Sequence, residues 1–187
     1  MNFVEPIRDA DVFHDIQATL KRENMRNYAL VMTGTYTGLR ISDILKLKVK
    51  DVKNKKYIDI REKKTEKRNI IEISPILRTV YKDYCLEMDD EEYLFRKSNI
   101  NKPIGREQAW KIMKNIGDRF GIENLGTHTL RKTFGFHYYK QTGDIATLMQ
   151  MFNHSKESIT LKYIGITQDV NVNIFLYKKW KIIMYNN

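Results

Sequence analysis

The sequence predicts a mostly helical α+β domain with one small antiparallel sheet inserted after the third helix. Apolar residues recur at helical spacing in several segments, two Ile-rich stretches flank one polar turn, and glycines and a proline stand at the segment ends. Phe13, Ile16 and Leu20 form the first helical stripe. Arg40 follows Gly38 and opens a further helical pattern, so its guanidinium projects near a helix N-terminus. Tyr57 to Arg61 and Arg68 to Ser74 read as strands joined through the polar run Glu62 to Lys67. Ser74 then serves as N-cap and Pro75 as first helical residue of a stripe containing Leu77, Tyr81, Tyr84, Cys85 and Met88. Trp110, Met113, Gly117 and Phe120 make another, and all these stripes are expected in the core. Gly105, Gly121, Gly126 and Gly143 punctuate the later helices. At Asn153-His154-Ser155 one helix ends and a short one begins, with Ser155 as N-cap, Glu157 in its first turn and His154 exposed on the loop. Tyr163 closes that helix just before Gly165, and 172–183 forms an amphipathic tail helix with Val172, Phe175, Leu176, Lys179 and Ile183 on one stripe.

The chain has 187 residues, with 33 Lys plus Arg against 23 Asp plus Glu, giving a formal charge of +10. That length suits a single domain spanning 1–187. A hydrophobic content of 42% is enough for a core, whereas 30% charged residues argue against a membrane protein. The lone Cys85 cannot form an internal disulfide, and Glu5, Arg8, Asp9 and Asp11 interrupt any apolar leader, so a reducing cytoplasm is the default expectation. Eleven basic residues against four acidic ones lie between Lys46 and Arg68, whereas Asp83 to Glu92 is acidic. The molecule is therefore expected to be electrostatically polarised, with nucleic acid steered to Lys46, Lys48, Lys63, Lys67 and Arg68. A solvated lysine-rich hairpin is the plainer reading of the same run.

Taken singly, the candidate residues are ambiguous. Arg40 on its own reads as an ordinary surface arginine, and Lys63, Lys64 and Lys67 cannot be told apart on a hairpin tip. His128 and Arg131, three residues apart on a helix, present two heads to one anion. His14, His128, His137 and His154 form no metal-binding pair, and no Gly-rich phosphate loop is present, so neither metal nor nucleotide cofactor is expected.

The order Arg40, Lys64, His128-Thr129-Leu130-Arg131, His154, Tyr163 resembles the catalytic domain of the tyrosine recombinases, the phage integrase family. Thr37 to Asp43 fits the family's T-G-x-R-x-S-[DE] motif, Lys64-Thr65 its hairpin lysine, and His128 to Arg131 its H-x-x-R box. Phe152-Asn153-His154-Ser155 stands where L-G-H-[SA] is usual, with Asn in place of Gly. Separations of 23 residues from Arg131 to His154 and 9 from His154 to Tyr163 also agree. The resemblance implies a mostly helical fold with a three-stranded antiparallel sheet, and duplex DNA as substrate. Tyr163 is then the nucleophile, Arg40, His128, Arg131 and His154 surround the phosphate, and Lys64 protonates the leaving oxygen.

It further implies no cofactor, assembly into a tetramer on DNA from a monomer or weak oligomer, and a cytoplasmic, bacterial or phage-encoded enzyme. The tail helix would pack in cis or dock on a neighbouring subunit, Asp43 would orient a nearby cation, and the family's N-terminal core-binding domain is expected to be absent. Three rivals remain: a type IB topoisomerase-like nicking and closing enzyme, a catalytically silent DNA-binding module of the same fold, and a basic helical nucleic-acid-binding domain whose motif agreement is coincidental.

Overall fold

The computed structural model describes residues 4–61, 66 and 68–166. Helices α1 (Ala10–Glu23), α2 (Met25–Thr37) and α3 (Ile41–Ile44) precede a 3₁₀ turn at Val49–Asp51 and the hairpin β1 (Tyr57–Arg61) and β2 (Arg68–Glu72). Then come α4 (Pro75–Tyr84), the small hairpin β3 (Arg96–Lys97) and β4 (Ile100–Pro103), α5 (Arg106–Phe120), α6 (Thr127–Thr142), α7 (Ile145–Phe152) and α8 (Glu157–Tyr163). Residues Lys63, Lys64 and Lys67 and the 172–183 segment lie outside the described residues.

Helices α2 and α6 pack on each other at the centre, and each is buried on almost every side rather than along one stripe. Residues Tyr28 to Thr35 of α2 and Thr129 to Thr133 of α6 are buried without interruption. Two of the buried threonines of α2 bond within the helix: the Thr33 hydroxyl donates to the Ala29 carbonyl at 2.7 Å and the Thr37 hydroxyl to the Thr33 carbonyl at 2.6 Å. A Cβ at Gly34 would fall 2.6 Å from Leu130, so the small residue allows the two helices to touch. A second, smaller core of Phe136, Leu148, Phe152 and Ile164 forms where α7 and α8 fold over α6.

Much of the local reading holds. Ser74 caps α4 with Pro75 in its first turn, Gly105 and Gly126 precede α5 and α6, and Gly121 and Gly143 end them in the left-handed region. Four expectations need correction. Trp110 is 45% exposed, because Ala109, Met113 and Ile116 form the buried face of α5, rotating the stripe by one position. The cap before α8 is Lys156 rather than Ser155.

In place of one three-stranded sheet, the described residues form two separate two-stranded sheets. The physical reason is that the segment after α4 pairs elsewhere: Leu94 N–H donates to the Leu47 carbonyl at 2.8 Å, Lys48 bridges Tyr93, and β3 is taken up by β4. That pairing also undoes the expected separation of charge. It lays the acidic segment over the start of the basic one, so Glu91 binds both Lys48 and Lys50 at 2.7 Å and Asp90 lies 3.8 Å from Lys53. The two ammonium groups hold the Glu91 carboxyl down at about 2. Asp59 likewise holds Arg68 across the hairpin at 2.6 Å, so Lys48 and Arg68 meet a phosphate only by exchanging ion-pair partners, whereas Lys46 is exposed.

His137, 2% exposed on α6, donates from Nε2 to the Ile7 carbonyl at 2.8 Å. Burial pushes its pKa down to about 4, so the unfolded chain binds this proton more readily than the folded one. Its contribution is therefore complete above the ordinary histidine range near 6.5 and is lost as pH falls toward 4. We expect about 3 kcal/mol of unfolding free energy to disappear across that window. Denaturant titrations at stepped pH should show the slope, and His137→Gln should flatten it.

Candidate active site

Arg40 is placed by the end of α2. Gly38 takes φ +63°, where a Cβ would also meet the Phe134 ring at 2.5 Å, and this turn swings the chain directly into α3. The Arg40 carbonyl accepts from the Asp43 and Ile44 amides at 2.8 and 3.0 Å, which fixes its backbone at the head of α3. Asp43, in the helix that Arg40 caps, is 3% exposed, a buried carboxylate rather than a solvent-facing one.

Arg131 is 4% exposed and stands among the buried residues of α6. Its guanidinium donates from Nη1 to the Gly38 carbonyl and from Nη2 to the Met151 carbonyl at 3.1 Å, while its carbon lies 4.4 Å from the Phe152 ring centroid. One side chain thus joins the ends of α2 and α7. His128, a turn earlier, is exposed, with Nδ1 3.4 Å from the Tyr163 hydroxyl.

Asn153 ends α7 at φ 57° and ψ 49°, the left-handed conformation that glycine or asparagine adopts most readily. Asparagine therefore does here the backbone work of the glycine usual in the motif. We expect Asn153→Gly to change stability by only a few tenths of a kcal/mol and Asn153→Ala to cost about 1 kcal/mol, readable as a melting-temperature difference of about 2–4 °C. The turn brings the His154 amide onto the Met149 carbonyl at 2.9 Å and sets Nδ1 3.0 Å from the Thr160 hydroxyl. His154 is consequently half-buried, not the exposed loop histidine that spacing suggests. Burial, reinforced by the charges of Arg131 and Arg40, lowers its pKa. Neutral imidazole is thereby favoured.

Tyr163 ends α8 with its ring 5.3 Å from Phe152 and 5.2 Å from His154, both near edge-on. A Cβ at Gly135 would lie 2.7 Å from both Ile164 and Phe152, so the small residue lets α8 settle this close to α6. Burial raises the phenol's pKa, while Arg131 and Arg40 pull it back, Arg131 also through a hydrogen bond. The result is a tyrosine beside two arginines and two histidines drawn from α6 and from the α2–α3 and α7–α8 junctions. Five of the six residues singled out from the sequence therefore converge, and the sixth, Lys64, lies outside the described residues.

Sequence reasoning missed Thr160, Phe152 as the platform under Arg131 and Tyr163, and the two carbonyls that hold Arg131. Phe152 was visible only as the neighbour of Asn153-His154, and backbone acceptors leave no signal in side-chain identity. Among the described residues no group of three or more His, Cys, Asp or Glu is placed to hold a metal ion, and no helix is long and apolar enough to cross a membrane.

The model of the Phage integrase family matches residues 8–169. The chain belongs to that family. It is 44% identical over 169 residues to the probable integrase/recombinase YoeC of Bacillus subtilis (strain 168), covering 90% of this chain and 93% of that protein. It is 30% identical over 153 residues to the tyrosine recombinase XerA of Pyrococcus furiosus, covering 79% of this chain and 53% of XerA. This integrase-family chain thus spans nearly all of YoeC and about half of the XerA protein. A crystal structure of XerA recombinase superposes with a TM-score of 0.70 at 22% identity, over 97% of this chain and 64% of that one. XerH bound to its difH substrate before cleavage gives 0.69 at 17% identity, over 87% and 51%. The fold is that of the tyrosine recombinase catalytic domain.

Proposed function

We propose that this chain is the catalytic domain of a site-specific DNA recombinase, cleaving and rejoining strands through a phosphotyrosine at Tyr163. The observation that carries the reading is the placement of the Tyr163 phenol against Arg131, His128 and His154, with Arg40 close enough to lower its pKa. Membership of the family and the fold support the same conclusion.

In the proposed reaction the phenolic oxygen attacks the scissile phosphorus and passes its proton to His128 Nδ1, the nearest base. Charge accumulating on the nonbridging oxygens is met by the guanidinium groups of Arg131 and Arg40, whose planar forks suit phosphate. His154 contributes when Thr160 donates to Nδ1: the neutral ring then carries its proton on Nε2, free to donate to a phosphate oxygen. The bond from phosphorus to the 5′ oxygen breaks, and Lys64 gives that oxygen its proton. The products are a 3′-phosphotyrosine and a 5′-hydroxyl. A second 5′-hydroxyl attacks the phosphotyrosine, giving its proton to Lys64 while His128 returns its own to the departing phenolate, which conserves the ester's energy without metal or nucleotide. Exchange between two duplexes cuts four strands, and four copies supply one tyrosine to each, so we propose a tetramer on DNA. The exposed Lys46 and the hairpin lysines Lys63 and Lys67 are proposed to contact the backbone beside the cleavage point.

A pool of random-sequence duplexes, each carrying a nick, tests the reading. Cleavage next to a nick releases the short strand and traps the protein as a covalent adduct, whose position maps the target. We expect an adduct at Tyr163 and, with two copies of the mapped site, recombinant product. An adduct with relaxation of supercoils but no recombinant would favour the topoisomerase-like alternative, and binding without any adduct would favour the silent module.

A further inference from the structure

Residues 4–9, which lead into α1, belong to no helix or strand, yet side chains of α6 hold them at three points. Lys132 Nζ donates to the Val4 carbonyl at 2.7 Å, the Ile7 amide donates to the Thr133 hydroxyl at 2.9 Å, and His137 takes the Ile7 carbonyl. All three α6 residues are buried, at 5%, 0% and 2% exposure. Burying an ammonium is costly unless it is bonded, so Lys132 is committed to this contact. The same ammonium lies 5.3 Å from the centroid of the Tyr163 ring, within cation–π range.

At the other end of the segment, Arg8 pairs with Glu5 at 2.6 Å and donates from Nη2 to the Gly165 carbonyl at 3.2 Å, two residues beyond Tyr163. Gly165 has φ +73°, and a Cβ there would fall 2.5 Å from the Arg8 guanidinium. The turn leaving α8 is therefore shaped around this arginine. Helix α8 has only seven residues, too few to hold its own last turn in water, so the direction of the Tyr163 ring depends on what packs around it.

We propose that the Val4–Arg8 segment is a strap that aims the nucleophile, with Lys132 and Arg8 as positioning residues for Tyr163. The inference rests on Tyr163 being the nucleophile proposed above. Phe152 and His154 hold the ring by its neighbours in sequence, whereas Lys132 and Arg8 hold it against a part of the chain more than 150 residues away. Loss of either tie lets the phenol sample orientations from which it cannot reach phosphorus, without removing any group that touches DNA.

The test compares the rate constant for adduct formation at saturating nicked duplex with the dissociation constant for the same duplex. Lys132→Met keeps the stem and removes the ammonium; we expect cleavage of bound DNA to slow about 10- to 100-fold, the scale of a small misplacement of a reacting atom. Affinity and its salt dependence should stay at the parental values, and Lys132→Arg, which keeps a cation and a donor, should recover most of the rate. Arg8→Met, at a position whose side chain is 45% exposed and whose methionine stem still covers the Phe136 ring, should slow cleavage by about 3- to 10-fold and decides the matter if Lys132→Met fails to fold. Parental rates in both Met variants would overturn the strap. So would a weakened affinity with a salt slope reduced by about one in Lys132→Met, which would make this residue a phosphate contact instead. If the parental protein forms no adduct at Tyr163, the reading of the site fails and takes the strap with it, an outcome separate from an active parent with equally active variants.

Discussion

Replacing Tyr163 by phenylalanine should abolish the covalent adduct and leave DNA binding unchanged. The substitution removes one oxygen and keeps the ring, so the edge-on contacts with Phe152 and His154 persist. The hydroxyl faces His128, which is exposed and regains a water partner when the oxygen is gone. Because the phenol also bonds the Arg131 guanidinium, we expect a stability loss of no more than about 3 kcal/mol, the upper range for a hydrogen bond to a charged group. The effect on reaction has no such bound, because the atom that must bond to phosphorus no longer exists. Denaturing gels of protein incubated with a nicked duplex would read the adduct, and mobility shifts on intact duplex the binding. An adduct persisting in Tyr163→Phe would assign the nucleophile to another residue and remove the basis of the proposed function.

Arg131 should show the next largest effect, and it should act on reaction and stability together. Its guanidinium is committed to the Gly38 and Met151 carbonyls and stacked on Phe152 while also facing the phenol. Arg131→Ala removes one charge-stabilising donor set from the transition state, for which a loss of about 10²- to 10³-fold in cleavage rate is typical. It also leaves two carbonyls at the α2 and α7 termini without their donor, at about 1–3 kcal/mol each if water does not replace it. Arg131→Lys keeps the charge but cannot span both carbonyls, so most of the rate loss should remain. The pH dependence supplies an independent check. Losing this cation withdraws a charge that lowers the pKa of Tyr163 and of His154, so both should rise and the pH needed for half-maximal adduct formation should move upward.

The chain order of catalytic candidates was readable in part because three of them sit at a local punctuation mark: Arg40 after the glycine that ends α2, His154 after the asparagine that ends α7, Tyr163 before Gly165. Caps and turns depend on a few neighbouring residues, so the order of residues specifies them nearly alone. Reading failed where a helix face or a strand partner was needed. Trp110 looked like core because the stripe on α5 could be drawn one residue to either side, and only packing on the rest of the domain selects Ala109, Met113 and Ile116. The acidic and basic segments looked like opposite poles until backbone pairing at Leu47 and Leu94 brought Glu91 onto Lys48 and Lys50.

Residue types and their spacing were thus sufficient for the family and the helical character, and they proposed the reactive side chains, since these depend on short-range pattern and chemical identity. The burial of Arg131, the depressed basicity of His154, the carbonyl partners of both central helices and the strap beneath Tyr163 came from long-range contacts. Those contacts join residues up to about 150 positions apart, and no local pattern encodes which distant surface will exclude water from a given charge.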